Sequence, residues 1–375
     1  MIRATRLRAF GAALAAALLL AACASGDKPK PLPLETFTPS IAGRVVWQGR
    51  LDSVQFPLVV AARGDAFLVG GSDGTVLSLD AANGREQWRA SAGAALAAGV
   101  GTDGRFTSVV TVGNELVTFE GGVQRWKQRL PARVSTPPVV AGERVFVMAV
   151  DRAVHAFDAV DGRKLWTYRR AGDALTLSQP GVLTVWRNQL ISGQGARIAA
   201  LDPLRGNLLW EVPLATPRGT NEVERLADLV GPAVRVGDSF CARSFQAAVG
   251  CVDAARGVLI WNRNSGGTEA IGGDADLLVG ADASSRVSAW KTATGEVAWS
   301  HDRLLYRDLS APLIVGRTVV FGDLEGQVHF LAREDGRTLL RVTTDGSPVA
   351  APPALAGNTL LVVTRKGGLF ALRPE

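Results

Sequence analysis

Asp73-Gly74-Thr75-Val76-Leu77-Ser78-Leu79-Asp80-Ala81-Ala82-Asn83-Gly84-Arg85-Glu86-Gln87-Trp88 reads as one strand between two turns, followed by the start of a second strand. Asp73-Gly74 suits a tight hairpin turn, because Asp and Gly tolerate a positive φ. Val76, Leu77 and Leu79 form a short apolar run, which predicts a strand covered on both faces. Asn83-Gly84 is a second turn, and Trp88 opens the next strand with a large apolar anchor.

The unit returns along the chain. A Gly followed four residues later by Trp occurs at Gly43/Trp47, Gly84/Trp88, Gly122/Trp126, Gly162/Trp166, Gly206/Trp210, Gly257/Trp261 and Gly295/Trp299. Gly336/Leu340 is an eighth copy with Leu in place of Trp. The steps are 41, 38, 40, 44, 51, 38 and 41 residues. Several copies keep an Asp before the second turn, as at Asp158, Asp202 and Asp253. A period near 40 with strand and turn chemistry predicts an all-β fold, an eight-bladed β-propeller of four-stranded antiparallel blades.

Residues 41–375 divide into eight units of about 42 residues. The C-terminal unit supplies strands but stops before any Gly-x-x-x-Trp, whereas the N-terminal segment has that element without the strands before it. Residues 44–48 are therefore expected to complete the last blade, so that N- and C-terminal strands close the ring in one sheet. Many units open with a Pro after a small residue, as at Pro137, Pro180, Pro232, Pro312 and Pro352, which suits the start of an inner strand.

Upstream of the ring, residues 1–22 read as a secretory signal: Arg3, Arg6 and Arg8 precede an apolar run too short to span a membrane comfortably. The run ends in Leu20-Ala21-Ala22-Cys23, which matches a bacterial lipobox, so Cys23 is expected to carry lipid. Residues 23–40 are expected to form a tether, extended from Asp27 to Pro39 through Pro29, Pro31, Pro33 and Pro39; about 12 residues at ~3.1 Å each reach ~37 Å. Without the three signal arginines, 38 basic residues face 35 acidic ones. No basic stripe stands out, which argues against nucleic-acid binding.

Several motifs fit chemistry that their context denies. Gly70-Gly71-Ser72-Asp73-Gly74 matches a nucleophile elbow but lies in a hairpin with no helix after it. Gly99-Val100-Gly101-Thr102-Asp103-Gly104 matches a dinucleotide fingerprint but lacks a βαβ unit, and reads as a turn. His155, His301 and His329 fall in strands of different blades without ligand spacing, so no metal, cofactor or catalytic residue is expected. Cys241 and Cys251 flank a hairpin centred on residue 246, where opposed residues share a constant sum, so the two could face each other. A cross-strand disulfide and two buried thiols both fit.

Two connections between blades stand out. Residues 172–179 contain Leu175 and Leu177, and residues 213–231 fall in the longest step of the repeat. Long loops on a rigid scaffold are where binding usually resides. Leu175 and Leu177 are candidate apolar anchors, with Arg225 and Asp228 as polar contacts around them. The alternative is that the leucines cover the blade tops while Arg225 pairs with Glu222 or Asp228.

The repeat resembles the pyrroloquinoline-quinone-type blade. Eight copies behind a lipobox resemble the BamB family, the lipoprotein subunits of the bacterial β-barrel assembly machinery. Local matches are Glu222-Val-Glu-Arg225-Leu226-Ala-Asp228, Leu304-Leu-Tyr-Arg307 with Ser310-Ala-Pro312, and Gly322-Asp323-Leu-Glu325-Gly326. The resemblance implies a non-enzymatic scaffold on the periplasmic face of the outer membrane. It would be lipid-anchored, a single copy within a hetero-complex, binding the barrel-forming subunit and assisting outer-membrane protein clients. It places docking contacts in the same two connections, and this chain departs from it at Ser178, where an Arg is expected, and at Val230, where an acid is expected. A rival on the same fold is a quinoprotein dehydrogenase. That resemblance implies a Ca²⁺-bound quinone beside an adjacent Cys pair, and no two cysteines here are adjacent.

Overall fold

The two turns around residues 75–80 form as their residue types dictate. Asp73 accepts a hydrogen bond from the Thr75 N–H at 2.9 Å, and Gly74 takes φ +91°. The strand Thr75–Asp80 follows, and its apolar side chains are buried. Asp80 Oδ1 then accepts from the N–H groups of Ala82 and Asn83, Gly84 takes φ +73°, and the strand Glu86–Ser91 begins. The same Asp-capped turn recurs at Asp158, Asp202 and Asp253.

The computed structural model describes residues 29–170 and 175–374; the signal segment and Cys23 lie outside the described residues. Among the described residues, 32 strands form eight antiparallel four-stranded sheets, with no helix. Seven blades run in chain order over residues 61–91, 101–129, 139–168, 183–213, 229–264, 272–301 and 313–343. In each, strands A to D run from the inner strand outward. Blade eight takes its first three strands from residues 354–374 and its outer strand, Gly43–Arg50, from the start of the ring. Gly43 pairs with Pro374 and Arg50 with Gly368, so the closure is longer than residues 44–48.

The repeated Gly and Trp act between blades. Each indole lies against the Gly of the next blade, and a Cβ added at Gly84, Gly162, Gly206 or Gly295 would meet that ring at 2.4–2.6 Å. These glycines also hold a left-handed φ, so the position needs Gly for both space and backbone. Trp47, Trp126, Trp166, Trp261 and Trp299 donate Nε1–H to a backbone carbonyl of the next blade, at Ala81, Ala159, Pro203, Thr292 and Arg333. Trp210 donates to Gln189 Oε1 instead. The anchor therefore fastens neighbouring blades as well as filling its own, and a buried indole is worth about 3–5 kcal/mol. The core is correspondingly distributed: one cluster runs from blade eight through blades one and two.

Three local readings change. Gly101–Thr102 is an inner strand, not a turn; its glycine is needed because a Cβ at Gly101 would lie 1.9 Å from the Pro138 carbonyl oxygen of the next blade. Pro232 sits within strand Leu229–Val236, at a bulge between Val230 and Val234 that absorbs its missing donor. Part of the Pro-rich stretch expected as a free tether is seated on the ring. The Leu32 N–H donates to the Leu305 carbonyl, the Ser40 N–H donates to Leu339, and Arg341 lies over the Phe37 ring. Cys241 and Cys251 are directly opposed in blade five and joined by a disulfide.

Candidate docking face

Because strands alternate in direction, the B–C turns and the D–A connections emerge on one face of the ring. The A–B and C–D turns emerge on the other. The two connections singled out in the sequence lie side by side on the first face, and one carboxylate joins them. Asp228 Oδ2 accepts the Leu177 N–H at 2.9 Å, and Oδ1 accepts from Arg152 Nη2 at 3.0 Å. The same Arg152 nitrogen donates to the Leu175 carbonyl at 3.2 Å, and Thr176 Oγ1 donates to the Val150 carbonyl at 2.7 Å. Blade three, the connection to blade four and the connection to blade five are thus tied at one point.

The four candidate residues have different roles here. Leu175 is exposed, at 37%. Leu177 turns inward and packs with Val230, Ala270 and Ala311. Asp228 is largely enclosed, its side chain 14% accessible, so it positions the connection rather than projecting from it. Arg225 stays on the surface and reaches the Thr220 carbonyl at 3.4 Å. Val230, where the resemblance implies an acid, is buried at 3% in the cluster that receives Leu177. Ser178 is exposed.

Two further residues belong to this face. Arg152 occupies the left-handed position of its B–C turn with φ +62°, where blades one, four, seven and eight use Gly74, Gly195, Gly326 and Gly367. A residue with a Cβ at such a position is costly, of order 1 kcal/mol or more. Blades two, five and six place Asn114, Gln246 and Ser285 there, so the position itself carried no signal in the sequence. Val223 is 71% exposed on a single helical turn in the second connection. Glu224 closes that turn: its carboxylate accepts the Thr220 N–H at 2.7 Å, which holds its pKa below the ordinary value, and its own N–H donates to Asn221 Oδ1.

Between the connections lies a hollow of about 390 Å³, lined by Arg152, Arg170, Arg197, Arg225 and Asp228. Glu211 is shared by two of these arginines, Arg170 at 2.9 Å and Arg197 at 3.2 Å. Among the described residues, four guanidinium groups and the Asp228 carboxylate line the hollow. Exposed apolar groups beside a charged concavity, on loops pinned from below, suit recognition of another protein. The histidines lie elsewhere: His329 Nε2 is 2.9 Å from Asp323, His155 Nδ1 is 3.0 Å from Thr167, and His301 stacks on Trp299.

A family model described as Outer membrane protein assembly factor BamB matches residues 72–301. The chain is 38% identical over 370 residues to a protein of that name from Burkholderia pseudomallei, covering 97% of each chain. A Bordetella pertussis protein of the same name is 34% identical, with 92% of this chain and 91% of the relative covered. Among solved structures, BamB from Moraxella catarrhalis superposes with a TM-score of 0.81 at 23% identity, covering 88% of this chain and all of the other. A quinohemoprotein alcohol dehydrogenase from Comamonas testosteroni gives 0.65 at 14% identity, covering 88% and 76%; these likenesses concern the fold alone. With the family model and relatives matched in this way, the latter across nearly their whole length, the chain belongs to the BamB family of outer membrane protein assembly factors.

Proposed function

We propose that the protein is a non-enzymatic scaffold of the β-barrel assembly machinery. Lipid on Cys23 holds it at the periplasmic face of the outer membrane, and it docks the periplasmic domains of the barrel-forming subunit on the B–C/D–A face. The observation that carries this reading is the Asp228 knot: three separate segments are fixed together so that Leu175 and Val223 stand exposed beside an arginine-lined hollow. Pre-ordering two loops before encounter removes part of the entropy cost of binding. The family's name supports the assembly role. The lack of adjacent cysteines in the sequence supports the non-enzymatic one.

Co-purification from solubilised outer membranes tests it. Leu175→Asp with Val223→Asp alters only exposed groups, so the melting temperature should hold while recovery of the barrel-forming subunit falls tenfold or more. Asp228→Ala should also lose the partner, with a destabilisation of about 3 kcal/mol from the orphaned Leu177 N–H and the broken ion pair to Arg152. Val123→Asp, at a C–D turn on the opposite face, should retain it. Full recovery with the folded Leu175/Val223 variant would place the docking face elsewhere on the ring.

A further inference from the structure

One seam between blades differs from the other seven. At seven seams an indole of this chain lies on the glycine of the next blade. At the seam between blades seven and eight the glycine is kept, as Gly43, but Leu340 stands where Trp would be. The acceptor position is kept as well. The carbonyls that take the indole N–H lie two residues beyond the strand C residue paired after the bulge, as Ala81 follows Leu79 and Arg333 follows Leu331. In blade eight that position is Pro374, two beyond Leu372.

The chain compensates only in part. Opposite the other anchors strand C carries Ser, Thr, Ala or Cys, whereas Phe330 faces Leu340. Phe330 remains half-buried, and a cleft of about 440 Å³ stays open between the blades. Its walls are Val315, Phe330, Leu340, Leu355, Leu360 and Leu372, with Gly43 and Pro374 at the rim. Its volume lies in the range of small-molecule sites. The A–B turn residues Thr318 and Asn358 border it, so it opens on the face opposite the docking loops. From Leu32, tied to Leu305 on the docking face, the upstream chain crosses blade seven, where Ser40 is bonded to Leu339, and reaches the cleft, which Ile41 and Ala42 line beside Gly43.

We propose that this seam binds a planar aromatic side chain carried by an extended, alternately apolar polypeptide. The seven filled seams identify the ring: a flat aromatic over a bare glycine, its N–H directed at a carbonyl. The polypeptide source rests on the assembly reading above, because strands destined for an outer-membrane barrel alternate apolar and polar residues and carry aromatic girdles. A ring with a hydrogen-bond donor satisfies the Pro374 carbonyl while its face covers Phe330 and Leu355.

The test uses the mature protein in detergent and a dye-labelled ten-residue peptide of alternating Val and Thr with one central Trp, followed by fluorescence anisotropy. Leu340→Trp fills the seam from within and should raise the peptide Kd at least tenfold, with the melting temperature unchanged or higher. Replacing the peptide Trp by Ala should weaken binding to the unaltered protein by a similar factor, which decides the matter if Leu340→Trp does not fold. Free indole should compete. Equal binding of the Trp and Ala peptides, or an unchanged Kd for folded Leu340→Trp, overturns the site. Indole binding without peptide binding overturns the polypeptide source. Co-purification of the barrel-forming subunit should be indifferent to Leu340→Trp, so failure here and failure of the docking reading are told apart.

Discussion

At the residue scale, the same residue type serves opposite ends in this ring. Gly295 holds φ +69° and touches the Trp261 ring, where a Cβ would come within 2.4 Å. Gly316 holds φ +57° with nothing within 4 Å of its missing Cβ. Gly295→Ala should cost about 3 kcal/mol or more, since strain and a displaced indole add. Gly316→Ala should cost only the backbone term, about 1 kcal/mol. Urea unfolding distinguishes them, and equal losses would show that the glycine–indole contact does not fasten the blades. Arg307 shows a different logic. Its side chain is 2% accessible; it donates to Asp323 at 2.7 Å, pairs with Glu325, and donates to the Leu32 carbonyl at 3.0 Å. Asp323, itself buried, also contacts His329, and these hydrogen bonds hold its carboxyl below the ordinary value although burial opposes that shift. A charge so enclosed survives only because several partners share it.

At the scale of elements, the outer strand of blade eight matters most. Gly43–Arg50 pairs with Gly368–Pro374 over seven positions, and its Trp47 lies on Gly84 of blade one. Deleting residues 41–50 removes the ladder and the anchor together and leaves a bare strand edge. The expected result is a fall of about 10 °C or more in Tm. A deletion variant with unchanged Tm would mean that the ring holds without its closure. The preceding segment adds to this strand: Glu35 Oε1 accepts from Thr338 Oγ1 at 2.5 Å and Ser40 is bonded to Leu339, so the chain reaches blade eight already held on blade seven.

At the scale of the molecule, the ring presents two faces with different chemistry. One carries pinned loops and an arginine-lined hollow; the other opens on an apolar seam. A scaffold that held a partner on the first face could receive a client segment on the second without competition between them. On the proposed anchoring at Cys23, the segment upstream of Leu32 sets the reach between lipid and ring. Nine residues separate Cys23 from Leu32, at most about 32 Å of extended chain. Cys23→Ser should move the protein from the membrane fraction to the soluble periplasmic fraction, or leave it unprocessed, with Tm unaltered. Mass spectrometry of mature, membrane-free wild-type protein with an unmodified Cys23 would refute the anchor.

The blade count, the turns and the split last blade were legible in the chain, because each rests on a local rule repeated eight times. Gly and Asp mark turns, short apolar runs mark covered strands, and a shifted phase at the termini marks closure. The purpose of Gly-x-x-x-Trp was not legible, because the two residues do not serve each other: each Trp meets the Gly of the following repeat, some 40 residues on. Tertiary structure alone decided which loop residues project. Leu175 and Leu177 are two apart in sequence, yet one faces solvent and the other fills a cluster, because Asp228, 51 residues downstream, fixes the Leu177 N–H. Nor could the chain by itself show that substituting Leu340 leaves a cleft, since Phe330 is placed against it only by strand register. Local propensity specifies turns and strands; which side chain ends buried depends on contacts between distant segments, and those exist only once the ring has closed.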